Sequence, residues 1–395
     1  MERRKFLKNS ALASTALMVP SFLKGYVNNN GSRSRSGKIL VVVQLSGGND
    51  GLNTVIPYGN DVYYKSRPTL AIPKQKVIKL NDELGWNPNL AALRSVYDQG
   101  QMSILNSVGY PNPDRSHFRS MDIWHTASDS SEFLSSGWIG RYLDNHCNGC
   151  DIPHYALEMD DTLTLALKGI QKSGFALGNI DRLKKTNDNK FLKAIAQKPH
   201  EEEDNIAYLY KTMIDTQSSA NYLHKKSKVH KSKVNYPKNR FAKDLKQVSE
   251  LITADTDTRI YYVTLSGFDT HASQLNKQGN LLKQYAEAMA AFIKDLKQNN
   301  LLDDTLIMTF SEFGRRVKQN GSRGTDHGTA NNVFLMGGNL RKKGFYNEAP
   351  DLVNLDKGDL KFQIDFRDIY ANILEDWLGT KTSGILNTSG KVKVI

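Results

Sequence analysis

The sequence predicts an α/β fold in which helices cover both faces of a mostly parallel central sheet. Short apolar runs rich in β-branched residues alternate with helical stretches, the pattern of βα units. The first run, 39–45, is apolar at nearly every position, as expected for a strand buried on both faces. The chain has 395 residues, of which 39% are hydrophobic and 24% charged, so it can bury a large core.

The predicted elements follow one another in a regular order. The runs that favour strands are 39–45, 103–108, 259–265, 305–310 and 333–336. The stretches that favour helices are 87–100, 115–124, 276–299 and 365–378. Asn87-Pro88 supplies a cap residue and a first-turn proline to the first of these helices. The third has apolar residues along one face, as expected for a helix that packs on a sheet.

Two segments differ from this rhythm. Residues 1–36 are predicted to be a signal and linker, and residues 37–395 a single α/β domain. Within that domain the stretch of about 183–250 is polar, rich in Lys and Glu, and helical in tendency. It is predicted to be a helical insertion that covers the sheet.

The amino terminus has the pattern of an export signal. A charged start is followed by the moderately apolar run 11–23, which is too short to span a bilayer. Arg3-Arg4 followed by Phe6-Leu7-Lys8 resembles the twin-arginine motif. The sequence therefore predicts a periplasmic or secreted protein that meets the twin-arginine translocase during export. That route carries folded cargo, often with a ligand already inserted, and whether the segment is cleaved or kept is open.

The net charge of +12 is concentrated in two places. Residues 1–36 hold seven basic residues and one acid, and residues 225–246 hold nine basic residues and one acid. A nucleic-acid-binding body would spread this charge over a face with interleaved aromatics, so no nucleic-acid partner is expected. The segment 225–246 is interpreted as a solvated loop, with contact to an acidic polymer or surface as the alternative. The mature chain has no apolar run long enough to be a transmembrane segment.

Cys147 and Cys150 are the only cysteines and have C-x-x-C spacing. A redox pair or half of a zinc site has this spacing, but a local disulfide or two free thiols is the favoured interpretation.

Candidate functional residues follow the predicted strands. In open α/β sheets, ligands bind beyond the carboxyl ends of the strands. Asp50 follows the first strand within a glycine-rich turn, and Arg115, Ser116 and Arg119 follow the second. Each also has a simpler interpretation, since Asp50 suits a turn and Ser116 suits a helix cap.

Later strand ends add acids and imidazoles. The residues are Asp269, His271, Glu312, Asp326 and His327. In an extended segment, residues two apart project to the same side, so Asp269 and His271 could reach one ion. Carboxylates and imidazoles suit zinc, manganese or iron, whereas oxygens alone favour magnesium, calcium or manganese. The pattern predicts one or two divalent ions, with zinc favoured.

Several motifs together resemble a bacterial family known as domain of unknown function 1501. They are Gln44 to Asn53, Arg115-Ser116-His117-Phe118, Gly137 to Arg141, Phe268 to His271, Ser311 to Arg315, Asp326-His327, Asp365 to Asp368 and Trp377-Leu378-Gly379. They occur in the right order over about residues 38–380. Many members of that family resemble twin-arginine cargo. The family is in turn similar to the alkaline phosphatase and sulfatase superfamily, which hydrolyses or transfers phosphate or sulfate esters with two metals.

The resemblance implies a role for each candidate. Ser116 matches the nucleophile at a helix start, and Arg115 or Arg119 would bind the non-bridging oxygens of the ester. Asp269, His271 and His327 match the ligands of one metal, and Asp326 adjoins them. Asp50 and Glu312 match acids on a second metal. Direct attack by a metal-activated water is the alternative to attack by Ser116.

This chain also departs from the superfamily. Glu312-Phe313 stands where Asp-His is usual, the spacing of Asp269 and His271 is narrower, and the activation signature of formylglycine sulfatases is absent. The implied function is an exported metal-dependent hydrolase of phosphate or sulfate esters. The alternative is a non-catalytic periplasmic or cell-surface binding or assembly protein that keeps the fold and a metal.

Overall fold

The computed structural model describes residues 37–146, 152–187, 205–388 and 390–395. The predicted export signal and both cysteines lie outside these residues, as does part of the predicted insertion. Within the described residues, the longer strands of the main sheet are β1 (Ile39–Ser46), β5 (Met102–Gly109), β8 (Ile260–Ser266), β9 (Thr305–Phe310) and β10 (Asn331–Met336). Its shorter strands are β6 (Ala156–Glu158), β7 (Phe175–Ala176), β11 (Gly344–Phe345) and β12 (Ile364–Asp365). A small second sheet contains β2 (Val55–Ile56), β3 (Ile78–Lys79) and β4 (Gly85–Trp86).

The main sheet is mostly parallel, as predicted. Its strand order is β11-β5-β10-β9-β1-β8-β6-β7, and β12 pairs with β5. β1 pairs in parallel with β8 on one side and with β9 on the other. β10 is the exception, because it runs antiparallel to both β9 and β5. The carboxyl ends of β1, β5, β8 and β9 therefore meet at one edge of the sheet, together with the amino end of β10.

Helices lie on both faces of the sheet. Their bounds are α1 (Asp61–Ser66), α2 (Arg94–Asp98), α3 (His117–Thr126), α4 (Trp138–His146), α5 (Ile180–Asn187), α6 (Asn205–Lys226), α7 (Arg240–Thr253), α8 (Gln274–Gln298) and α9 (Phe366–Asn372). The side chains of β1 alternate between the two cores. Val41 and Val43 pack in a core that includes α7 and α8, whereas Leu40 and Val42 pack in a core that includes α3, α4 and α9.

The predicted helix boundaries need small corrections. The stretch that begins at Asn87-Pro88 starts as 3-10 turns over Pro88–Leu93 and becomes α-helical only at α2. The closing helix is α-helical over α9 and continues as a π-helix over Ile373–Trp377. Where the structure describes the chain, no helix is both long and apolar enough to cross a membrane.

Candidate functional site

A group of three metal-ligand side chains lies at the edge where the strand ends meet. Asp269 follows β8, His117 begins α3, and His327 precedes β10. His117 Nε2 lies 3.4 Å from Asp269 Oδ1, and His327 Nε2 lies 3.5 Å from the same oxygen. The three ligand atoms all fall within 4.8 Å of one another. This arrangement can hold a divalent ion through two imidazoles and one carboxylate.

Each imidazole is fixed through its other nitrogen. His117 Nδ1 lies 2.9 Å from Glu312 Oε1, and His327 Nδ1 lies 2.6 Å from the carbonyl oxygen of Arg115. A carbonyl oxygen accepts hydrogen bonds only, so Nδ1 of His327 carries the proton and its Nε2 presents a lone pair. The carboxylate of Glu312 sets the same tautomer in His117. Histidines that bind metals in proteins are oriented in this way.

The two Nε2 atoms are the observation that tests whether a metal fits. Both are buried, and neither has a hydrogen-bond partner among the residues that the structure describes. Buried polar atoms are rarely left unpaired, because the loss of their hydration is not compensated. Here both unpaired atoms face one carboxylate oxygen. The residues present therefore fit a divalent ion.

Electrostatics at the group favour a cation. Burial raises the pKa of the Asp269 carboxyl, but the hydrogen bond and charge of Arg315, with the charges of His271 and His117, outweigh it and lower that pKa to about 2. The hydrogen bond to Glu312, aided by the charges of Glu312 and Asp269, raises the pKa of His117 against the opposing effect of burial. Burial lowers the pKa of His327. Asp269 is therefore ionised at neutral pH, and the potential that favours a proton at His117 also favours a metal ion.

Arg315 holds the surrounding loops together. Its side chain is buried, and all of its acceptors lie at this edge: the carbonyl oxygens of Gly47, Gly48, Phe268 and Thr325, and Asp269 Oδ1. The bond from Arg315 Nη2 to Asp269 Oδ1 is 2.8 Å long. Arg315 therefore fixes the loops after β1 and β8 and aims the carboxylate of Asp269 at the histidines.

The turn after β1 needs glycine for two reasons. Gly47 and Gly48 have φ angles of +116° and +73°, which side chains other than glycine rarely adopt. A Cβ on Gly47 would also collide with the backbone of Asp269, and one on Gly48 would collide with the ring of Phe313. The backbone N–H of Gly47 donates to Glu312 Oε1 at 2.8 Å. The glycine turn thus brings β1 close enough to support Glu312.

His271 lies beside the group. Its Nδ1 is 2.7 Å from Asp269 Oδ1, the oxygen that also accepts from Arg315. His271 is not one of the three ligand atoms that converge. It contacts the group through Asp269, and its ring centre lies 4.6 Å from that of His327. That both side chains of the Asp-x-His pair bind one ion stays a prediction.

Asp50, predicted as a ligand of a second metal, has another environment. Its side chain is fully buried, and its Oδ2 accepts from Arg67 Nη1 at 2.6 Å and from Gln274 Nε2 at 2.5 Å. Arg67 also donates to Asn53 Oδ1 and to the carbonyl oxygen of Val317. The structure does not bring Asp50 to the three converging ligands. A buried guanidinium neutralises it instead of a metal ion.

Two other predicted metal ligands are also displaced from the group. Glu312 is fully buried, and its Oε1 contacts Nδ1 of His117, so it would act on an ion only through that histidine. Asp326 is exposed, and its Oδ1 accepts from Asn320 Nδ2 at 3.0 Å. Neither is among the three ligand atoms that converge. Among the described residues, His117, Asp269 and His327 are the group whose ligand atoms converge.

The two predicted substrate-binding arginines already have partners. Arg115 forms an ion pair with the buried carboxylate of Asp359. Arg119 donates to the carbonyl oxygens of Ser130 and Glu132, and its guanidinium lies 3.8 Å from the ring centre of Phe133. Both arginines therefore brace loops, and the binding of substrate oxygens by one of them stays a prediction.

Ser116 stands immediately before α3, at its N-cap position, and is exposed. Its hydroxyl makes no capping hydrogen bond to the helix, so the simpler interpretation as a cap does not apply. Its neighbours in the chain belong to the group, since His117 is a ligand and the carbonyl of Arg115 holds His327. The serine is therefore at the helix start beside the three ligands.

The chain matches the family model described as "Protein of unknown function (DUF1501)" over residues 106–383. This protein belongs to the DUF1501 family. The matched range contains all three converging ligands. The sequence has no significant match among curated proteins.

Solved structures with a similar course of the chain include members of the superfamily that the sequence resembles. The lipoteichoic acid synthase LtaP from Listeria monocytogenes has a TM-score of 0.36 and 12% identity, over 91% of this chain and 76% of that one. A protein in the alkaline phosphatase superfamily from Vibrio parahaemolyticus has a TM-score of 0.35 and 10% identity, over 78% of this chain and 62% of that one. The C-terminal periplasmic domain of EcEptC from Escherichia coli, in complex with Zn, has a TM-score of 0.34 and 11% identity, over 77% of this chain and 74% of that one.

Two residues of the site were not predicted as such. His117 stands in the Arg-Ser-His-Phe motif, one position after the predicted nucleophile Ser116. Its imidazole is the feature of the sequence that could have indicated a ligand at that strand end. Arg315 was not among the predicted site residues, and it pairs with Asp269. In this DUF1501 chain, the side chains whose ligand atoms converge are His117, Asp269 and His327.

Proposed function

We propose that this protein is an exported, metal-dependent hydrolase of phosphate or sulfate esters. The observation that carries the proposal is the pair of buried, unpartnered imidazole nitrogens that face the carboxylate of Asp269 beside an exposed serine. His117, Asp269 and His327 would hold the ion, and zinc, manganese or iron suits that donor set. Three protein ligands leave a position open for substrate, as in catalytic rather than structural sites.

The residues around the ion divide the remaining work. A divalent ion bound there would stabilise negative charge that develops on the ester oxygens. Ser116 lies at the positive end of α3, where an anionic group is stabilised. Its hydroxyl would attack the phosphorus or sulfur, so that a new bond to Oγ forms while the bond to the alcohol oxygen breaks and the alcohol leaves with a proton. Water then cleaves the serine ester and releases phosphate or sulfate. Direct attack by water is the alternative, in which Ser116 makes no covalent bond.

The surroundings support one ion rather than two. The ring of Phe313 lies 4.9 Å from that of His117 and 4.7 Å from that of His327, between ring centres. An apolar ring therefore occupies one side of the group, where a second metal would need polar ligands. The other acids predicted for a second metal are paired with Arg67 or His117.

Elemental analysis and hydrolysis assays test the proposal together. Purified protein should contain about one divalent ion per chain and should hydrolyse aryl phosphates or sulfates. His117→Ala and His327→Ala should lose both the ion and the activity, whereas His230→Ala, outside the group, should lose neither. Ser116→Ala should keep the ion and lose roughly 10³-fold or more in kcat if the serine is the nucleophile. Hydrolysis that survives in both ligand variants would refute the site.

A second candidate function has one specific observation in its favour. Arg115 and Arg119, the side chains expected to grip the transferred group, already pair with protein acceptors. A binding or assembly protein that keeps one ion needs no such grip. Wild-type protein that holds the ion but hydrolyses no phosphate or sulfate ester in a broad panel would favour this candidate.

A further inference from the structure

An apolar cavity of about 270 Å³ lies at the same edge of the sheet. Its apolar wall is formed by Tyr110, Pro113, Phe313, Ala330, Leu360 and Phe362. Binding of an ion and attack by Ser116 do not require an apolar cavity, so its presence needs another explanation.

The walls of the cavity are continuous with the metal-ligand group. Phe313 lines the cavity, and its ring also packs against the imidazoles of His117 and His327. Residues 109, 110 and 112–114 line it, and this stretch of the chain leads to Ser116. Thr329 and Ala330 line it and lie two and three positions after His327. A group bound in this cavity therefore lies next to whatever the three ligands and Ser116 act upon.

Four polar side chains of the lining have partners in the protein, and the other two, Asn112 and Asp356, are exposed. The hydroxyl of Tyr110 lies 2.9 Å from Ser120 Oγ, and Thr329 Oγ1 donates to the carbonyl oxygen of Leu360. Asp114 Oδ1 accepts from the N–H of Ser116, and Lys361 Nζ donates to Asn354 Oδ1. A ligand would gain free energy here mainly by removing apolar surface from water. Polar alcohols such as glycerol or sugars would gain little.

The volume of the cavity limits the size of the ligand that it can hold. A cavity of about 150 Å³ with apolar walls holds benzene, so this larger cavity has room for a substituted or fused aromatic ring. We infer that the cavity binds the apolar, ring-sized alcohol part of the ester whose phosphate or sulfate meets Ser116 and the ion. This assignment of substrate class rests on the proposed function.

Kinetics with a substrate pair test the inference. The value of kcat/KM for 2-naphthyl phosphate or sulfate should exceed that for the matching methyl ester by about 10-fold or more. Phe362 is 38% exposed at the edge of the cavity, so Phe362→Ala removes wall without opening the core. It should lower the naphthyl-to-methyl ratio several-fold and leave the methyl ester unchanged. Phe133→Ala is the matched control, because Phe133 is 78% exposed and does not line the cavity.

Direct binding separates failure of this inference from failure of the proposed function. Calorimetry with 2-naphthol is done on wild type, Phe362→Ala and His117→Ala. Binding that weakens several-fold in Phe362→Ala but persists in His117→Ala supports the cavity as the binding site, even if no ester is hydrolysed. Hydrolysis without preference for naphthyl esters, together with no naphthol binding, overturns the inference and leaves the hydrolase standing. Equal naphthol binding by wild type and Phe362→Ala also overturns it.

Discussion

The substitution Asp50→Asn should destabilise the fold without removing the ion. Asn has nearly the shape of Asp but no charge, so it leaves the guanidinium of Arg67 buried without its anionic partner. Both side chains of this pair are fully buried, and the bond between them is 2.6 Å long. Arg67 also donates to the carbonyl oxygens of Arg316 and Val317, beside Arg315.

The size of the effect follows from this burial. Removing one partner of a buried ion pair costs about 3–5 kcal/mol, because the remaining charge is left without compensation. The asparagine oxygen can still accept one hydrogen bond from Arg67, so the lower end, about 3 kcal/mol, is expected. The entropy of unfolding grows with chain length, and in a folded unit that spans Lys38–Ile395 this corresponds to a fall in Tm of roughly 4 °C.

Two variants with the same chemical change should show opposite patterns. Asp269→Asn alters a carboxylate that is 51% exposed, although its partner Arg315 is buried. Because solvent reaches one side of this pair, and because Arg315 keeps four carbonyl acceptors, the loss of stability should be smaller than in Asp50→Asn, while the ion is lost. Asp50→Asn should lose stability and keep the ion. Denaturant unfolding gives the stability, and elemental analysis of the folded protein gives the metal content.

A second substitution tests whether the unpaired charge of Arg67 causes the loss of stability in Asp50→Asn. Arg67→Met in the Asp50→Asn background removes the unpaired charge and should recover part of the lost stability. If Asp50→Asn instead lost the ion while its unfolding free energy stayed at the wild-type value, Asp50 would be a metal ligand after all. The buried-pair reasoning would then be refuted.

Three further outcomes are expected. Glu312→Gln should weaken metal affinity about 10–100-fold, because the carboxylate that orients His117 is lost; competition with a chelator measures this. Glu158 is buried, and burial raises its pKa to about 7; the folded state then binds the proton more tightly than the unfolded state, so stability falls as pH rises from about 4.5 to 7. Glu158→Gln should flatten that dependence in unfolding curves, and an unchanged slope would contradict the assignment. Arg119→Ala should hydrolyse substrate at nearly the wild-type rate in initial-rate assays, because its guanidinium is bound to backbone carbonyls.

The strands were predictable because their apolar runs are long and unambiguous. The run that became β1 is buried on both faces, and its neighbours in the sheet were the other runs of the same kind. From these runs alone, the rule that ligands bind beyond strand ends pointed to the edge where three ligand-type side chains converge. Asp269 and His327 were found in this way, and the structure brings them together.

The direction of each side chain was not predictable. Asp50 lies at the expected edge, but after the turn at Gly47 and Gly48 its carboxylate enters the core and meets Arg67. Arg67 follows the short helix α1 in the sequence and does not directly follow a predicted strand. Nothing in the spacing of the sequence links these two residues, because their contact depends on how separate segments pack. His117 was not predicted as a ligand because the direction of its side chain depends on where α3 begins.

The charges around the ligands indicate what kind of group the site can accept. Asp269 and Glu312 contact the histidines, and Arg315 is bound to Asp269. Without an ion, these carboxylates outnumber the guanidinium by one, and an incoming phosphate or sulfate would be repelled. A divalent ion reverses the sign of that balance, so that an anionic group becomes favourable beside Ser116 and the positive end of α3. Binding of inorganic phosphate should therefore require the ion, and phosphate that binds equally well to chelator-treated protein would contradict this dependence.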